Sequence, residues 1–245
     1  MDKKFAILAD IHANIDALQA VVEDARSQSV TNFICVGDIV GYNAKPIECV
    51  HLIRELDCFT VRGNHDHYCA FDESLDDFHP MAASVVAWTR RELARDPVAG
   101  DWLRALPLHA FHQGMTLVHS TLDMPERWGY VFDAIEAEAH FCYQNTQVCF
   151  HGHTHVPVIF EKHGPSVERY DPQTINIGLG RKYFINTGSI GQPRDNDSRA
   201  SYCTYDTALR EIQFHRVEYD IEATQAKIRG AGLPERLAQR IAVGR

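Results

Sequence analysis

A chain of 245 residues, 45% apolar and 23% charged, is long and apolar enough to bury a full core and reads as one globular domain over 1–245. Its formal net charge is -9, with 33 acidic against 24 basic residues and no run of Lys or Arg. Nucleic acid is therefore disfavoured as a partner, and a bound phosphate would need cations beside it. No apolar run reaches membrane-spanning length, and Met1 to Phe5 enters a strand pattern with no leader-like segment, so a cytoplasmic protein with no membrane partner is expected.

In chain order, residues 5–9 form a short apolar strand that runs into Asp10-Ile11-His12. Residues 13–25 follow as a helix, with apolar positions at Ile15, Leu18, Val21, Val22 and Ala25 and Asn14 as its cap. A second strand at 33–36 ends in Gly37-Asp38-Ile39-Val40-Gly41, and a helix at 46–56 leads to a third strand at 58–61 and then to Gly63-Asn64-His65-Asp66. Strand–helix–strand units put the polar residues just past each strand on one shared edge of a parallel sheet, so Asp38 and Asn64 are expected to meet there.

Residues 69–77 are acidic and aromatic and read as a loop. Helices are expected at 80–94 and 98–105, then a hairpin of 108–111 and 115–118, which delivers His119 just past a strand end. A loop at 121–130, a helix at 131–141 and a strand at 148–150 lead into His151-Gly152-His153-Thr154-His155. Beyond this point the pattern changes. Short strands at 156–160, 166–170, 182–185, 201–205 and 209–216 follow without helices between them, which suggests a second, antiparallel-rich sheet before closing helices at 219–230 and 234–243. The seven cysteines form no CxxC pair and lie mostly in apolar runs, as buried thiols would in a reducing compartment.

Seven residues collect at strand ends: Asp10, His12, Asp38, Asn64, His119, His153 and His155. Residues two apart on an extended segment face the same way, so Asp10/His12 and His153/His155 can close on one ion, with mixed nitrogen and oxygen donors. Taken singly, Asp10 and Asp38 are also ordinary caps, and Gly63-Asn64 an ordinary turn. Two divalent ions would suit a phosphate ester, because they activate water and neutralise phosphoryl charge.

The ordered set Asp10-x-His12, Gly37-Asp38-x-x-Gly41, Gly63-Asn64-His65-Asp66, His119 and Gly152-His153-x-His155 resembles the calcineurin-like metallophosphoesterases over residues 10–155. The resemblance implies an α/β fold, a four-layer α/β/β/α sandwich of two mixed sheets flanked by helices. It also implies two divalent metal ions (Mn, Fe, Co, Ni or Zn), one on Asp10, His12, Asp38 and His155 and the other on Asp38, Asn64, His119 and His153. His65 would assist at the phosphoryl group, oriented and kept protonated by Asp66. The implied activity is hydrolysis of phosphate mono- or diesters, of nucleotides or dinucleoside polyphosphates in the small bacterial members. A phosphoprotein phosphatase and a non-catalytic metal- or nucleotide-binding module are the alternatives. The loop 186–194 resembles one lying beside the metal cleft in such members, with Arg194 near the leaving group. Tyr42, Asn43, His67, Tyr68, Trp128 and Tyr130 are candidates to meet a nucleobase, and His151 is a candidate to orient a ligand.

Overall fold

The computed structural model describes residues 3–76 and 78–245; Met1 and Asp2, and Asp77 at the end of the expected 69–77 loop, lie outside them. The first half contains β1 (Lys4–Leu8), α1 (Ile15–Ser27), β2 (Asn32–Cys35), α2 (Pro46–Glu55), β3 (Phe59–Thr60), α3 (Asn64–Ala70), α4 (Pro80–Leu93) and α5 (Pro97–Ala105). It continues through β4 (His109–His112), β5 (Met115–Val118), α6 (Ala134–Phe141) and β6 (Val148–His151). The second half contains β7 (Val158–His163), β8 (Ser166–Tyr170), β9 (Ile175–Asn176), β10 (Arg181–Asn186), β11 (Ala200–Asp206) and β12 (Glu211–Val217), then α7 (Ile221–Gly230) and α8 (Glu235–Ile241).

These elements form two six-stranded mixed sheets, ordered β3-β2-β1-β11-β12-β9 and β4-β5-β6-β10-β7-β8. The expectation that the later strands form a sheet of their own is corrected. β11 pairs antiparallel with β1, while β10 pairs parallel with β6, so the second half of the chain is divided between both sheets. Strand spacing along a sequence reports direction changes, not which earlier strand supplies the free edge.

Period-two alternation builds the layers. In β1, Phe5 and Ile7 point into the space between the sheets, where they meet Leu117, Phe150, Ile159 and Ile185. Ala6 and Leu8 point the other way, onto Leu18 and Val21 of α1 and Val50 and Ile53 of α2. On the outer face of the second sheet, Cys149, Phe160 and Phe184 are covered by Ala137 and Phe141 of α6. The result is a four-layer α/β/β/α sandwich. Fully burying a side chain such as Phe5 or Leu8 contributes roughly 1.5–3 kcal/mol, so three sealed interfaces provide a rigid frame for the loops at the strand ends. No helix among the described residues is long and apolar enough to cross a membrane. The cysteines are free thiols, and all but Cys142 are buried.

Candidate metal centre

Strands β1 and β2 end together, and their loops keep the pairing going. The Asp10 N–H donates to Gly37 O, the His12 N–H to Asp38 O and the Ala13 N–H to Ile39 O, at 3.1, 2.9 and 2.8 Å. The loop after β10 then ties the two sheets, because the Ile190 and Gly191 N–H groups donate to Ala9 O and Asp10 O. All seven candidate ligands are brought to this one edge. One ligand atom from each of Asp10, His12, Asp38 and His155 lies within 4.8 Å of the others, and the same holds for Asp38, His119 and His153. Asn64 joins the second group, its Oδ1 3.1 Å from His119 Nε2. Asp38 Oδ2 is shared, 3.6 Å from His12 Nε2 and 3.3 Å from His119 Nε2.

The reason first given for this convergence is corrected. Asp10, His12, Asp38, His153 and His155 are not extended; their φ angles are 50°, 47°, 57°, 69° and 62°. Left-handed backbone is uncommon outside glycine, although Asp and His tolerate it better than most residues. Each such residue costs on the order of 1–3 kcal/mol, and five of them at one strand edge mark a site that the surrounding structure holds in place.

The donor chemistry fits cations. His12 Nδ1 donates to Val40 O at 3.1 Å and His155 Nδ1 donates to Gln192 O at 2.6 Å. Burial holds both imidazoles well below the usual histidine range, so both are neutral. Their Nε2 lone pairs must then face each other, at 3.0 Å. Two acceptors in a buried site repel unless something positive lies between them. Ligand atoms roughly 2.0–2.2 Å from one ion stand about 3.0–3.5 Å apart, the spacing found here. His119 Nδ1 is fixed by Val36 O and His153 Nε2 by Trp128 O, so a backbone carbonyl sets the tautomer of every candidate histidine ligand.

Charges within the cluster are strongly perturbed. Burial drives Asp10 up to about 7. Burial also acts to raise Asp38, but His119 and His65 outweigh it and hold that carboxylate well below its usual range. For His119, burial is overcome by the Asp38 charge and hydrogen bond, and the ring is raised to about 9. A proton on His119 Nε2 would sit between Asp38 and Asn64, and a divalent ion bound there would take its place.

Other expected roles change. Among the described residues no hydrogen bond joins the Asp66 carboxylate to the His65 ring; the carboxylate accepts the N–H groups of Asp38, Ile39, Val40 and Gly63 at 2.8, 2.8, 3.1 and 3.1 Å. It holds the loop that carries Asp38, while the His65 N–H donates to Asp38 Oδ1 at 2.8 Å. Burial lowers His65 to about 4, so Asp66 does not keep it protonated. The His65 Nδ1 is buried, with no hydrogen-bond partner among the described residues. A missing partner is better tolerated by an acceptor than by an N–H, which leaves Nε2 as the donor. Asn43 is also turned to structure, its Nδ2 donating to His12 O and Gly191 O. Tyr68 packs into the helix-side core and against Phe78.

Tyr42 packs on His12 and His65 at centroid distances of 4.6 and 4.4 Å, and Arg194 lies 5.6 Å over its ring. Tyr130 stacks on His153 at 4.1 Å and is half exposed, and Trp128 lies 6.1 Å from His119. The buried His151 ring stacks on Phe184 at 3.7 Å. Sequence reasoning missed the carbonyls of Val36, Val40, Trp128 and Gln192, which carry no residue-type signature. It placed the loop 186–194 beside the cleft but not the work of two of its residues: the Ser189 hydroxyl donates to Asp10 O, and the Asn186 amide holds Gly152 O and Thr154 Oγ1.

Residues 4–209 match the calcineurin-like phosphoesterase superfamily domain. The protein MJ0912 of Methanocaldococcus jannaschii is 36% identical over 244 residues, covering 98% of both chains. A metallophosphoesterase from Sphaerobacter thermophilus is 38% identical over the whole of both chains, with a TM-score of 0.89. The hypothetical protein PH1004 from Pyrococcus horikoshii OT3 shares the fold at a TM-score of 0.80 and 19% identity, over 99% of this chain and 98% of its own.

Proposed function

The chain belongs to the calcineurin-like phosphoesterase superfamily, and from that premise we propose that it hydrolyses phosphate mono- or diesters at a dinuclear metal centre. The observation that carries the reading is the facing pair of acceptor nitrogens on His12 and His155, beside a carboxylate oxygen of Asp38 shared with the His119 group. Asp10, His12, Asp38 and His155 would hold one ion, and Asp38, Asn64, His119 and His153 the other. Bound divalent ions supply Lewis acidity toward water and the phosphoryl oxygens. His65, neutral and with Nε2–H free to donate, hydrogen-bonds a phosphoryl oxygen and steadies the charge that builds there. Arg194, on the same side as Tyr42, adds a positive charge for the departing group. The exposed ring of Tyr130 beside His153 favours a small phosphorylated molecule with a flat aromatic part, a nucleotide or dinucleoside polyphosphate.

The test compares aryl phosphate monoester and diester hydrolysis by metal-loaded protein with that of two variants. His65→Ala should lower kcat by about 10²–10³-fold with metal content intact, and Asp38→Ala should lose both metal and activity. Loss of metal in His65→Ala with retention in Asp38→Ala would invert these roles. Stoichiometric metal without hydrolysis of either ester would leave a binding module.

A further inference from the structure

We propose that His140 of α6 is a positioning residue for the subsite of Asp38, Asn64, His119 and His153, acting on its two histidines through the loop that joins β5 to α6. The inference deepens the dinuclear reading and rests on it.

That loop leaves β5 at His119, passes Trp128 and Tyr130 beside the centre and enters α6 at its cap, Asp133. Both histidines of the subsite depend on it. His119 lies at its start, and Trp128 O accepts the His153 Nε2–H at 2.8 Å. Trp128 has a φ of 54°, a left-handed backbone that a residue with a Cβ keeps only when its surroundings hold it. The middle of the loop offers little hold: Met124, Glu126, Arg127 and Tyr130 are exposed, while Thr121 at its base is buried.

His140, in the last turn of α6, grips that base. Its Nδ1 accepts the Leu122 N–H at 3.1 Å and faces the Thr121 hydroxyl at 3.4 Å. Thr121 in turn backs on the far end of the loop, since a Cβ at Gly129 would stand 3.3 Å from Thr121 Cγ2. One ring nitrogen thus holds the main chain just past His119 and, through Thr121, the residue next to Trp128. The acceptor role of Nδ1 is fixed from the opposite side of the ring. Gln144 Nε2 donates to Thr146 O and Tyr183 O, both at 3.0 Å, which uses both of its N–H groups. Gln144 Oε1 therefore faces His140 Nε2, at 3.1 Å, and Nε2 carries the proton. The other subsite has different supports: Val40 O, Gln192 O and the Ser189 hydroxyl fix His12, His155 and the Asp10 main chain from the loops after β2 and β10. Losing the His140 acceptor should be felt at one ion more than at the other.

The test is a calorimetric titration of the metal-free protein with manganese, with His119→Ala marking which binding step belongs to the second subsite. His140→Leu should weaken that step by about tenfold and leave the other within about twofold. His140→Asn, which puts an amide oxygen where Nδ1 was, should restore the step to within about threefold of the parent. Both variants lose the stack on Phe184 and the bond to Gln144, so a loss of stability alone would affect them alike. Nitrogen NMR of histidine-labelled, metal-free protein gives a second readout. The His153 proton should sit on Nε2 in the parent and in His140→Asn, and be shared between both ring nitrogens in His140→Leu. If His140→Leu does not fold, Thr121→Val, which keeps the methyl against Gly129 and removes the hydroxyl, should weaken the same step by about threefold. Equal weakening of both steps, no weakening of either, or no rescue by His140→Asn would overturn the proposal. A parent with a single step or none would mean that the dinuclear reading has failed, and the His153 proton then decides the role of His140 by itself: unmoved in His140→Leu, it overturns the proposal.

Discussion

Left-handed backbone at Asp10, His12, Asp38, His153 and His155 is tolerated because neighbouring residues leave no alternative. Gly152 shows how little room remains: a Cβ there would run into the Asp10 carboxylate and lie 2.9 Å from Ala9 Cβ. The same glycine lets the His153 N–H reach Asp10 Oδ2 at 2.9 Å. Gly152→Ala should therefore displace Asp10, destabilise the fold by about 1–3 kcal/mol and lower metal occupancy; urea unfolding and metal analysis check both. A variant as stable and as metal-rich as the parent would contradict this packing. At this scale the ligand types and their spacing were legible in the sequence, because Asp, His and Asn at strand ends are visible as letters. The carbonyls that fix the histidine tautomers were not, since every residue has one. Asp66 was misread for a related reason: its neighbour in sequence, His65, is not its partner in space.

Among the elements, most strands and helices follow from their apolar periods, and their boundaries shift by only a few residues. The two-residue β9 and the helix α3 are the exceptions. The seven residues of α3, Asn64–Ala70, include two histidines, an aspartate and a cysteine and show too few turns for a periodic pattern; its start is fixed by Asp66 accepting the Gly63 N–H. The loop after β10 was legible as a glycine-rich segment, but its work as a strap between β1 and the His155 loop depends on register between distant strands. α6 carries a separate consequence. His140 is buried against Phe184 at a ring distance of 3.5 Å, its Nδ1 accepts the Leu122 N–H, and burial lowers it to about 3. The folded protein keeps this ring neutral, while the unfolded chain takes up a proton below about 6.5. Its contribution is thus fully present above pH 6.5 and lost as pH falls toward 3, at up to roughly 1.4 kcal/mol per pH unit. His140→Gln should flatten the fall in urea midpoint between pH 6.5 and 4. An unchanged slope would assign the acid sensitivity to other groups.

For the molecule as a whole, the layered class was legible and the strand partners were not. Inserting β11 beside β1 and β10 beside β6 places loops from both sheets at one edge, which is how residues as far apart as Asp10 and His155 come into contact. The arrangement leaves buried acceptors crowded together, so divalent metal should raise the unfolding temperature and chelation should lower it. Metal stoichiometry is the most direct measurement of all. Protein equilibrated with excess manganese and then freed of unbound ions should retain two equivalents per chain, His119→Ala should retain about one, and Asp38→Ala close to none. A parent protein that holds one ion or none, or a His119→Ala variant that still holds two, would contradict a centre built on a shared Asp38.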